Sequence, residues 1–72
     1  MTKKAKILEM FDSKEFQGGW KSFDRNDFHN RGLCGTIEYG ETYGDVIYAK
    51  RILKRLGYEV RVGIGFHVGE KK

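Results

Sequence analysis

Few residues in this chain could do chemistry. Nucleophile candidates are Cys34, Ser13 and Ser22, and base candidates are His29 and His67. A nucleophile works only when a base stands within hydrogen-bond reach, and nothing in their spacing pairs them. Cys34 falls within an alternating run that reads as a strand, where a cysteine is ordinarily a small buried hydrophobe. Asp24 and Asp27 could share acid–base work, but turn formation and helix capping account for them better. Asp27, His29, Cys34 and His67 are metal-ligand types, yet the chain has no C-x-x-C or H-x-x-x-H pair, so no metal is expected. Gly63, Gly65 and Gly69 match a phosphate-binding loop only in number. They lie inside a strand pattern with no helix after it, whereas a nucleotide loop needs its glycines between a strand and a helix. The residues point away from an enzyme and call for no cofactor.

Binding is better supported. Between Val46 and Leu56 the chain carries Lys50, Arg51, Lys54 and Arg55 and no acid. On a helix these four cations span about 140° of the surface, with Ile47 in the middle of the arc and Tyr48 beside it. Cations suit the last turns of a helix because they oppose its dipole, but a merely solvated face would mix signs and would not hold an isoleucine. Ile47, Lys50, Arg51, Lys54 and Arg55 are therefore the first candidate binding site. A weaker second candidate is the segment 16–28, where Phe16, Trp20, Phe23 and Phe28 stand among Gly, Asp and Asn. Trp20, Phe23 and Arg25 could stack bases or anchor a protein interface, although most of these aromatics are expected to form the core. Lys3, Lys4 and Lys6 precede too short an apolar stripe to bind a membrane.

The elements that would hold these residues follow from periodicity. Residues 3–12 read as a helix with Ile7, Leu8 and Phe11 on one side. Residues 16–28 read as an irregular aromatic loop. Leu33, Gly35, Ile37 and Tyr39 alternate with Cys34, Thr36 and Glu38, which predicts a strand ending at Gly40. Thr42 and Asp45 form a T-x-x-D capping pattern. A helix follows from Tyr43 to Leu56, with Val46, Ala49, Ile52, Leu53 and Leu56 on its apolar stripe and Gly57 as its C-terminal cap. Tyr58, Val60, Val62, Ile64, Phe66 and Val68 then alternate without a break, which predicts one long strand facing the core. Strand, helix and strand form a βαβ unit with parallel strands. The expected fold is an α+β domain in the order helix, aromatic loop, strand, helix, strand.

Two strands make a weak sheet. A third strand near Trp20–Phe23, cover by the first helix, or pairing between two copies must complete it. Because 58–68 outruns 33–39, an exposed edge could pair with a second copy in a homodimer or with another partner strand; the alternative is that the extra length bends at Gly63 or Gly65 or is covered by the 16–28 segment.

The chain has 72 residues, with 39% apolar and 33% charged. That is one small domain, too apolar for a disordered tail, with a short basic tail at 70–72. The net charge of +4 is a mild bias toward acidic partners. One cysteine permits no internal disulfide, and no run approaches a membrane span, so a reducing cytoplasm is the expected compartment. In size and composition alone, the chain resembles the small orphan proteins of bacteriophages and other mobile elements, anti-CRISPR proteins among them. That resemblance implies a non-catalytic inhibitor of a host or defence protein and assigns no residue. The expected function is a protein-binding modulator that docks on a larger protein or nucleoprotein complex. The alternative is direct nucleic-acid binding through the basic helix face.

Overall fold

The computed structural model describes residues 2–35, 37–38, 41–42 and 44–71. Thr36, Tyr39 and Gly40 of the expected strand, and Tyr43 at the expected helix start, lie outside the described residues. The elements run α1 (Lys3–Asp12), β1 (Trp20–Phe23), α2 (Arg25–Asn30), β2 (Ile37–Glu38), β3 (Glu41–Thr42), α3 (Asp45–Arg55), β4 (Glu59–Gly63) and β5 (Gly65–Gly69). The class is α+β: the described residues form three helices and a three-stranded antiparallel sheet ordered β1-β5-β4.

The expected long strand is a hairpin. Val60 pairs with Val68 and Val62 with Phe66, and the chain reverses at Ile64 between Gly63 and Gly65. Gly65 has φ +108°, which a side chain would strain. Because the turn falls on Ile64, the alternation survives it. Val60, Val62, Phe66 and Val68 share the inner face, while Ile64 is 79% exposed at the tip. This corrects the expectation that Ile64 faces the core. Ile64→Asp should therefore change the stability measured by urea unfolding by no more than about 0.5 kcal/mol, as surface changes usually do; unfolding of this variant would place Ile64 inside.

The parallel βαβ pairing is corrected too. β2 pairs with β3, antiparallel, in a separate two-stranded sheet. The partner of the second half is β1, with Lys21 opposite Val68 and Phe23 opposite Phe66. Antiparallel neighbours close with a tight turn, whereas a parallel pair needs a full crossover. The third strand thus comes from within the aromatic segment. The length mismatch that suggests a homodimer has another origin, because the extra length folds back on itself, which leaves β1 and β4 as the edges of the sheet.

The rest of that segment is helix α2. Asp24 caps it and Asp27 answers, each carboxylate accepting from the other's backbone N–H at 3.0 and 2.9 Å. This is the reciprocal capping box, and it explains the Asp24 and Asp27 pair. Phe28 is fully buried and its ring meets Phe66 edge-on at 5.5 Å.

Helix α1 is N-capped by Thr2, whose hydroxyl accepts from Ala5 N–H. Its Ile7, Met10 and Phe11 join Val46, Ala49, Ile52 and Leu53 of α3 in one core, which Phe23, Phe28, Leu33, Val60, Phe66 and Val68 complete. Lys21 is buried. Its ammonium donates to Phe11 C=O at 2.7 Å and lies 3.8 Å from the Phe11 ring centroid. A cation at the carbonyl end of α1 also complements the helix dipole.

Candidate functional site: the outer face of α3

Helix α3 starts at Asp45, and its N-cap is Gly44 at φ 57° with no side-chain cap. The expected T-x-x-D box would make Thr42 the cap, but Thr42 lies in β3. A strand leading into the helix puts the first turn two residues later than the pattern suggests. Asp45 instead accepts from Cys34 N–H at 2.8 Å and pairs with Lys3 Nζ at 2.7 Å. It ties the start of α3 to the 33–35 loop and to α1. At the other end, Gly57 at φ 98° donates to Lys54 C=O and Tyr58 N–H donates to Leu53 C=O. This double bond is the Schellman cap, and it fixes the end of the cationic turn.

Burial pushes the Asp45 carboxyl up. The Lys3 ammonium, the Cys34 N–H and the charges of Lys3 and Lys6 outweigh that and hold it below the ordinary carboxylate value. A depressed group stabilises the fold above its unfolded value, about 3.9, and that stabilisation is lost as pH falls through the folded value. Asp45→Asn should therefore lower the urea midpoint at neutral pH, and the gap from wild type should close below about pH 4. A gap that stays constant with pH would mean the Lys3 pair contributes nothing.

Along α3, Val46, Ala49, Ile52 and Leu53 are buried, but Leu56 is 44% exposed. Leu56 belongs to the outer surface, a correction to the expected stripe. It is the C-cap residue, just past the last helical turn, where the helix leaves the core. Arg51, Lys54 and Arg55 are exposed, Lys50 is half-buried, and Ile47 lies among them at 44% exposure. The ion pairs of the described structure join Lys3 to Asp45, Lys14 to Asp27, Arg31 to Glu9 and Arg61 to Glu59. None involves the four cations of α3. A groove of about 160 Å³ runs beside this face, lined by Lys4, Tyr48, Arg51, Ile52, Arg55 and Leu56. Lys4, Tyr48, Ile52 and Leu56 are not among the expected site residues. Tyr48 was legible as a flank, whereas Lys4 joins only because α1 packs on α3.

The second candidate site divides. Phe23 is 2% exposed and faces the core. Trp20 points the other way, since strand neighbours three apart take opposite faces. Arg25 is exposed at the start of α2. The structure does not bring the three together. Trp20 lies on the outer sheet face, over Gly69, with the Arg61 guanidinium 5.3 Å from its ring. A cleft of about 520 Å³ opens there, lined by Lys14, Glu15, Gln17, Trp20 and Ser22. Its cation is already engaged: Lys14 Nζ donates to Ser22 C=O and to Asp27. Burial pushes the Asp27 carboxyl up, but the Asp24 N–H and the Lys14 ammonium outweigh it and hold Asp27 below its ordinary value.

Of the nucleophile and base candidates, Ser22 and His67 do meet. They face each other across β1 and β5, with Ser22 Oγ 2.9 Å from His67 Nδ1, on an exposed face. A working triad adds a third group that orients the base, and no described carboxylate hydrogen-bonds to His67. Cys34 is exposed in a loop, not buried in a strand. It falls outside any ladder because the 33–35 segment is pinned by Asp45 and never pairs with β4 or β5. Among the described residues no cluster of His, Cys, Asp and Glu could hold a metal ion, and no helix is long and apolar enough to cross a membrane.

No protein-family model matches the chain, and neither a curated protein nor a solved structure matches it.

Proposed function

We propose that this chain is a non-catalytic binding domain that docks on a larger macromolecular partner through the outer face of α3. Small mobile-element inhibitors of host or defence proteins, which it resembles in size and composition, would be its functional kin. One observation carries the reading: Ile47, Tyr48 and Leu56 stand exposed among four cations that take no part in the described ion pairs. A cluster of like charge draws an acidic surface in, and apolar groups within it gain from being covered.

Arg51→Gln together with Arg55→Gln should leave the melting transition within a few tenths of a kcal/mol, because both side chains are exposed. The same double variant should retain at most about a tenth of the partner captured by wild type from a nuclease-treated bacterial lysate. Equal capture by both would remove α3 from consideration. The line of cations also favours a second reading, direct contact with nucleic-acid phosphates. In that case affinity for an oligonucleotide would fall steeply as salt rises, with a slope set by the phosphates neutralised.

A further inference from the structure

Resting on that reading of α3, we infer that the groove between α1 and α3 seats one large apolar side chain of an acidic peptide segment. The floor is Tyr48, Ile52 and Leu56, and the rim is Lys4, Arg51 and Arg55. A volume of about 160 Å³ is close to the roughly 150 Å³ that accommodates a benzene ring. It admits a leucine, phenylalanine or tryptophan side chain, not a whole helix.

Three cations around one apolar notch set the chemistry of the occupant. The rim cations come from two elements, Lys4 from the first turn of α1 and the arginines from successive turns of α3. None of them is used in the described ion pairs. Carboxylates flanking an apolar anchor would meet all three, and arginine in particular takes a carboxylate in a bidentate grip. A phosphate backbone would satisfy the rim but leave Leu56 and the notch uncovered. A second copy of this chain would bring the same cations face to face, which is repulsive. The pattern of a buried anchor within a charged rim is that of an interface hot spot.

The test is selection from a random peptide library displayed on phage, with the intact protein as bait, followed by fluorescence anisotropy of the selected peptides. The expected sequences carry Asp or Glu on both sides of Leu, Phe or Trp. Replacing that apolar residue by serine should weaken binding at least tenfold, and so should Lys4→Glu and Leu56→Ser in the protein. Lys4 is exposed in the first turn of α1, where an acid suits the dipole, so Lys4→Glu stays folded if Leu56→Ser does not. Selected peptides without acids, or peptides that bind Lys4→Glu as tightly as wild type, would overturn the inference. So would an empty selection or tighter binding of a short oligothymidylate. Lysate capture separates the two levels. Capture lost in the Arg51 and Arg55 double variant but unchanged in Lys4→Glu ends the groove and keeps α3. Capture unchanged in both ends the docking face itself.

Discussion

Phe66→Ala should leave the domain largely unfolded at room temperature. Phe66 is fully buried, and its ring contacts Phe28 at 5.5 Å and Phe23 at 6.2 Å between centroids. It sits on the central strand β5, opposite Val62 on one side and Phe23 on the other. Removing a buried phenylalanine ring costs about 3–5 kcal/mol in lost transfer energy and residual cavity. A domain of this size rarely holds more than about 3–5 kcal/mol, so the loss is comparable to the whole. Phe66→Leu, which keeps most of the volume, should lose much less. Urea unfolding followed by circular dichroism decides the matter. A midpoint for Phe66→Ala close to that of wild type would show that the sheet is not held through this ring.

Gly35→Val should be nearly as damaging, for the opposite reason. Gly35 is buried in the loop before β2. A Cβ there would run into Phe28 Cβ and stand 2.8 Å from Phe28 Cγ and 3.2 Å from the Arg25 Cα. The obstacle is the stem of a fully buried side chain and the backbone of α2, not a flexible tip. Overpacking typically costs about 1–3 kcal/mol where neighbours can yield. Here α2 must move off the sheet, dislodging Phe28 from Phe66, so at least the top of that range is expected. Gly63→Ala is the control, since a Cβ at Gly63 meets nothing within 4 Å. Its stability should be unchanged or slightly raised. Similar midpoints for Gly35→Val and Gly63→Ala would show that α2 does not press on the 33–35 loop.

The candidate site was legible in part, and the reason is periodicity. Arg51, Lys54 and Arg55 could be placed on the outer face of α3 from the sequence, because one helix turns its side chains by a fixed angle. The same rule misplaced Leu56, which follows the stripe in angle but lies where the helix outruns the core. Lys4 could not be assigned to the groove, because nothing local to α1 says which helix it packs on. A loop over 16–28 would leave Phe23 free to join Trp20, whereas in β1 the pleat sends the two to opposite faces.

What the sequence determined by itself is local. It held helix α1 and its apolar side, helix α3 with its glycine cap, and the inward set Val60, Val62, Phe66 and Val68. Each rests on hydrogen bonding and burial within a few residues, where 3.6 and 2.0 periods speak directly. The tertiary structure alone decided how the strands pair. A period-two run reads the same whether it continues straight or reverses at Ile64, since the turn consumes one outlying residue and returns the chain in phase. The choice went to the hairpin because Gly63 and Gly65 permit the reversal and β1 supplies a neighbour for β5. Likewise the Asp45 contacts with Lys3 and Cys34 join segments far apart in sequence. Such contacts are set by the packing of the whole chain, which no local pattern encodes.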